Sequence, residues 1–140
     1  MYSLQDRINY VKNNPEIFAT NGTSAGLIIE RMAGGTNFVD EEGYDYFDLV
    51  LGRVEVKSTC IPQGKNMRVQ KYVGKRGKFD HIHIIDGYNN REFIIPHDDW
   101  FEYVDEADMF WWSVSYNATD RARRGETEFL LQYEVTNAKG

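Results

Sequence analysis

The chain predicts an α/β domain of the α+β type, with a central mixed β-sheet flanked by helices. Three observations carry that class. Two helical periodicities open the sequence, a run of short β-rich segments separated by turn signals follows from Tyr44, and mixed elements close it. A length of 140 residues, 41% hydrophobic and 27% charged, fits one compact domain over 1–140 with its own core.

Ser3 to Asn14 reads as a helix, with Leu4, Ile8 and Val11 at helical spacing, Ser3 as N-cap and Asp6 three residues on; Pro15 ends it. After Asn21-Gly22, Thr23 or Ser24 caps a second helix that carries Glu30 and stops at Gly34-Gly35. The runs Phe47 to Leu51 and Val54 to Thr59, joined at Gly52-Arg53, form a predicted hairpin. Ile61 to Lys78 reads as a basic loop with a short helix around Met67 to Val73. His81 to Ile85 and Glu92 to Ile95 are predicted strands, and Pro96 opens a helix through Trp100 to Val104. Phe110 to Tyr116 is expected as strand, and Thr127 to Thr136 as helix or strand.

Composition narrows the function classes. Cys60 is the only cysteine, which excludes an intramolecular disulfide and a multi-cysteine zinc site and points to a reducing, cytoplasmic setting. No apolar run approaches the ~18 residues that span a bilayer, and the first residues lack the pattern of an export signal. The net charge of −6 is unevenly spread. Between Lys57 and Phe79 stand Lys57, Lys65, Arg68, Lys71, Lys75, Arg76 and Lys78 with no acid among them, leaving −13 for the remainder. Such segregation predicts one anion-facing surface on an acidic body.

The chemistry concentrates in Asp48 and Glu55-Val56-Lys57. Strand alternation projects Glu55 and Lys57 from one face, and a tight hairpin would bring Asp48 near Glu55. Two carboxylates and the Val56 carbonyl suit Mg²⁺, or Mn²⁺, which takes oxygen ligands and keeps several waters. A bound ion of this kind polarises a phosphoryl oxygen, and Lys57 is placed to orient the attacking water or stabilise developing charge. Together these roles describe phosphodiester hydrolysis. Asp45 competes with Asp48 as the first ligand in a longer hairpin.

The stretch Tyr46 to Thr59 resembles the PD-(D/E)xK nuclease superfamily, which includes type II restriction endonucleases and Holliday-junction resolvases. The resemblance covers about residues 23–60, with supporting element order to about 95, and Phe47 stands where the family's nominal proline would be. It implies a restriction-endonuclease-like core, Asp48 and Glu55 as metal ligands, Lys57 as catalytic lysine and Glu30 as an auxiliary acid. It also implies a Mg²⁺-dependent DNA endonuclease, restriction-like or junction-specific. Residues 96–140 fall outside it and are assigned to packing or dimerisation, a homodimer being the economical way to cut both strands.

The basic stretch suits a DNA backbone tracker through Lys65, Arg68, Lys71, Lys75, Arg76 and Lys78, while Gln63, Asn66, Arg68 and Gln70 are types that read base edges. Arg121, Arg123 and Arg124 form a second basic cluster. His81 and His83 share a strand face but lack a third ligand at metal spacing, so they are expected to be structural, and Trp100 and Phe101 to pack. The rival readings are a non-catalytic nucleic-acid-binding module and a protein-interaction domain.

Overall fold

The computed structural model describes residues 4–14, 30–41, 43–59, 66–70, 76–86, 91–107, 111–115 and 128–135. Ser3, the turn at Asn21-Gly22, the caps Thr23 and Ser24, Gln63, Lys65, Lys71, Lys75 and the cluster Arg121, Arg123 and Arg124 lie outside the described residues.

Helix α1 (Leu4–Lys12) forms where the apolar spacing places it. Residues 30–34 are helical and pass into a 3-10 turn over Gly35–Asn37. Gly35 takes φ +56, a left-handed conformation open to glycine, so the predicted stop is used. Strands β1 (Phe38–Glu41), β2 (Tyr44–Asp48) and β3 (Gly52–Thr59) then run as an antiparallel meander. Strand β4 (Asn66–Gln70) follows, then β5 (His81–Asp86) and β6 (Arg91–Pro96), helix α2 (His97–Ala107) and strand β7 (Trp111–Ser115). Among these elements no helix is long and apolar enough to cross a membrane.

The main sheet has five strands in the order β1-β2-β3-β5-β6. It is mixed: β3 and β5 pair in parallel, the other neighbours antiparallel. A parallel pair requires a long crossover, which here spans 60–80 and carries six of the sixteen basic residues. The predicted mixed sheet with helices is thus present.

Two expectations need correction. The hairpin turn lies at 49–51, not at Gly52-Arg53, and β3 begins at Gly52. Asp48 causes the shift: its Oδ1 accepts the N–H groups of Val50 (2.8 Å) and Leu51 (2.9 Å), and Gly52 follows at φ +78. Leu49 and Val50, expected in a strand, are 94% and 90% exposed. Secondly, Met67 to Gln70 is strand rather than helix, because β4 pairs with β7 in a separate two-stranded sheet. Its partner lies more than forty residues away, beyond the reach of local periodicity.

One face of the main sheet carries the larger core. Ile82 and Ile84 of β5 and Phe93 and Ile95 of β6 pack with Phe79, Trp100, Phe101 and Leu130. Trp100 and Phe101 are packing residues as expected. Residues 128–131 are helical, after which Val135 donates to the Glu92 carbonyl and Tyr133 accepts from Ile94, so the segment lies along the edge of β6. Arg91 fixes it there with two 2.7 Å hydrogen bonds to Glu134.

The opposite face holds Tyr46, Val54, Val56 and His83, all buried, together with a chain of polar groups that crosses the sheet. Arg7 of α1 donates to Glu92 Oε2, His83 Nε2 donates to Glu92 Oε1, and Tyr46 Oη donates to His83 Nδ1, each at 2.9 Å. The tautomer follows from the carboxylate, which can only accept. Burial alone would raise the Glu92 carboxyl, but the hydrogen bond from His83 and the charge and hydrogen bond of Arg7 outweigh that and hold it below the usual carboxylate value.

Removing one member of a buried ion pair leaves the other charge uncompensated. Glu92→Gln is expected to lower unfolding stability by about 3–5 kcal/mol, measured by urea denaturation. A loss under about 1 kcal/mol would show that Arg7 is solvated in the native protein.

Candidate functional site

The acids of the site are placed by β2, β3 and the helical segment 30–34. Strand β3 is internal, with β2 on one side and β5 on the other. Its register sets Glu55 beside Ile82 and Lys57 beside Ile84, so both take the parity of the larger core face. Glu55 is only 2% exposed, whereas Lys57 is half-buried. The Oε2 atom of Glu55 is buried and accepts no hydrogen bond, although the residue has other partners.

Asp48 does not join Glu55. It pairs with Gly52 at the tip of the hairpin and has the parity of Tyr46 and Val54, the opposite of Glu55. Its carboxylate caps the turn. The expected Asp48–Glu55 metal pair is therefore corrected, and the reason is local: an aspartate at a strand end satisfies the turn's free N–H groups.

Asp45, the alternative first ligand, is the acid that reaches β3. The backbone pairs of β2 and β3 run from Asp48–Gly52 to Tyr46–Val54. At the next residue the Asp45 carboxylate accepts the Val56 N–H at 2.7 Å, which sets it between Glu55 and Lys57 along the chain. Val56 itself is buried opposite His83.

Glu30 approaches the same stretch from the helical segment. Its Oε1 accepts the Ser58 hydroxyl at 3.3 Å. Burial first, then the charge of Asp45, and least that of Glu55, push the Glu30 carboxyl up to about 7, against the opposing pull of Lys57 and Ser58. Two acids from different elements are thus hydrogen-bonded within three residues of β3, and Lys57 stands between their contact points. Sequence reasoning named Glu30, Glu55 and Lys57 and kept Asp45 as an alternative; Ser58 it missed, since a serine after a lysine carries no signal of its own.

The donors are carboxylates, which suit a hard divalent cation. Among the described residues no three His, Cys, Asp or Glu side chains gather closely enough to form a protein cage for a metal. An ion such as Mg²⁺ needs only one or two carboxylates, with water completing the shell, and Asp45 and Glu55 are the residues that could hold it.

The predicted nucleic-acid contacts are distributed. Arg68 and Gln70 lie in β4, opposite Ser113 and Trp111. Arg76 and Lys78 are exposed, with the Arg76 guanidinium 4.8 Å above the Phe101 ring. Lys65, Lys71 and Lys75 lie outside the described residues. His81 donates from Nδ1 to the Leu51 carbonyl at 2.7 Å, and His83 belongs to the buried chain. An open cavity of about 290 Å³ bounded by Arg53, Asp80, Pro96 and His97 includes none of the candidate acids. Comparison with family models, curated proteins and solved structures gives no match, so the functional reading rests on the site's own residues.

A raised carboxyl pKa has a defined sign in stability. The folded protein holds the Glu30 proton up to about pH 7, against the ordinary 4.5, so stability is full below pH 4.5 and declines as pH rises from there to about 7. Glu30→Gln is expected to flatten that decline and to be more stable than the wild type at pH 8 by up to about 3 kcal/mol. Parallel pH–stability curves for the two proteins would show that Glu30 titrates as an ordinary carboxyl.

Proposed function

We propose that the chain is a metal-dependent nuclease, an endonuclease hydrolysing phosphodiester bonds in DNA, with the site built on Glu30, Asp45, Glu55 and Lys57. One observation carries the reading. Glu30 and Asp45, from separate elements, are hydrogen-bonded to β3 on either side of Lys57, and the charges of Asp45, Lys57 and Glu55 all act on the Glu30 carboxyl. A restriction-endonuclease-like core, expected from the resemblance, is consistent with a central β3 paired antiparallel to β2 and in parallel to β5.

Each residue then has a role that follows from its surroundings. Asp45 and Glu55 are the acids to hold Mg²⁺ or Mn²⁺. Bound there, such an ion supplies Lewis-acid polarisation of a phosphoryl oxygen. Lys57 offers a cation to the negative charge that grows on the phosphate. Glu30, with its carboxyl near 7, can take and return a proton at neutral pH and serves as general base to the attacking water. Arg76 and Lys78, exposed at the end of the basic crossover, supply phosphate contacts without sequence preference. Cutting both strands of a duplex takes two such sites, which a twofold homodimer provides.

The decisive assay incubates duplex and branched DNA with the protein at low salt, with Mg²⁺ or with EDTA. Cleavage is expected with Mg²⁺ alone, with losses of at least a hundredfold in Lys57→Ala, Asp45→Asn and Glu55→Gln. Asp48→Asn is expected to keep activity within about threefold, because that residue serves the turn. Salt-sensitive DNA binding that is indifferent to Mg²⁺ and never leads to cleavage would contradict the enzyme and favour a binding module.

A further inference from the structure

We propose that the buried chain Tyr46–His83–Glu92–Arg7 is a positioning device for the acidic site, through which α1 fixes the placement of Asp45 and Glu30. The inference rests on the reading of that site as a divalent-cation centre and adds to it a control point on the far side of the sheet. None of the four residues is aimed at the reacting groups, since the Tyr46 hydroxyl is spent on His83; they are positioning residues, not catalytic ones.

Tyr46 is the junction. It is the last residue of β2 in the ladder with β3, and Asp45 is the first beyond it, where the carboxylate leaves the ladder pattern and takes the Val56 N–H. The chain is held there by backbone pairing of Tyr46 with Phe38 and Val54, and by the Tyr46 side chain, 2% exposed, lying across the sheet with its hydroxyl 2.9 Å from His83 on β5. The same side chain seats the helical segment that carries Glu30. A methyl group at Gly34 would lie 2.7 Å from Tyr46 Cβ and 3.0 Å from Phe38 Cβ, so the backbone at 34 rests directly on Tyr46. Glu30 stands four residues earlier, one helical turn away.

The other end of the chain is equally fixed. Glu92 places one oxygen on His83 and the other on Arg7, and both charged residues are more than nine-tenths buried. Each link has a defined donor and acceptor at 2.9 Å, and packed polar groups of this kind have no slack to absorb a displacement. Loss of the Arg7 end lets Glu92 and His83 relax, and loss of the Tyr46 hydroxyl removes the side-chain anchor of the stretch of β2 that carries Asp45. Hydrogen-bonded groups behind metal ligands tune affinity in the same manner.

Mn²⁺ binding to the full chain, followed by the electron paramagnetic resonance of the free ion, tests the proposal. Asp45→Asn serves as the reference that removes a ligand. Tyr46→Phe, which keeps the ring, is expected to weaken Mn²⁺ binding roughly tenfold with an unchanged circular dichroism spectrum. Arg7→Met is expected to weaken it by a similar factor, and the double variant to bind no more weakly than Tyr46→Phe alone, as two links of one chain require. Gly34→Ala leaves the buried charges intact and, by lifting the helical segment off Tyr46, is expected to weaken binding as well. Tyr46→Phe and Gly34→Ala binding as tightly as the wild type, while Asp45→Asn binds weakly, would overturn the positioning role and leave the site standing. A wild type that binds no better than Asp45→Asn would remove the cation site and this proposal together.

Discussion

The structure hangs on the parallel pairing of β3 with β5. That pairing makes β3 an internal strand, with its backbone bonded on both sides, and it fixes the register that sets Val54, Val56 and His83 on one face and Glu55, Lys57, Ile82 and Ile84 on the other. Internal strands are ordinarily apolar on both faces. Here the strand carries a buried carboxylate and a half-buried lysine, each at a desolvation cost. The same pairing forces the chain to cross over between Thr59 and His81, and the crossover is where the basic residues accumulate. The charged strand and the cationic connection therefore belong to one topological choice.

The two faces of the sheet are held by different physics. One is aliphatic and aromatic, closed by Trp100, Phe101 and Leu130, and depends on area removed from water. The other is closed by a line of hydrogen bonds from Tyr46 to Arg7, which contributes specificity more than net energy because each charge has to be desolvated first. A tyrosine, a histidine, a glutamate and an arginine can satisfy one another only in a single arrangement, and that arrangement fixes β2, β5, β6 and α1 relative to one another. The acids Asp45 and Glu30 are attached to this polar face's framework through Tyr46 and Gly34.

Much of this was legible in the residues. The apolar spacing of Leu4, Ile8 and Val11 marks α1, and His81 to Asp86 and Arg91 to Pro96 are strands where alternation and turn signals place them. The hairpin was legible as a hairpin but misplaced, since the sequence shows an apolar run through Leu51 and does not show that Asp48 will turn its carboxylate onto Val50 and Leu51. The resulting register gives Asp45, and not Asp48, the parity of Glu55 and Lys57. Strand β4 was illegible because its partner is β7, and the Tyr46–His83–Glu92–Arg7 line because its members are scattered across the chain and become neighbours only after the sheet has formed. Glu30 was named only through the family resemblance, as an acid on a helix ahead of the hairpin; Ser58 was not named.

The central claim is that the divalent-cation site is formed by Asp45 and Glu55, with Glu30 beside it at Ser58, away from the turn at Asp48. Paramagnetic broadening by substoichiometric Mn²⁺ in amide-resolved NMR spectra tests it most directly, because the effect falls off steeply with distance from the ion. The account predicts that the amide signals of Val56, Lys57 and Ser58, with that of Glu30, broaden first while those of Val50 and Leu51 persist. Selective loss of the Val50 and Leu51 signals, or broadening with no preference for either group, would contradict it.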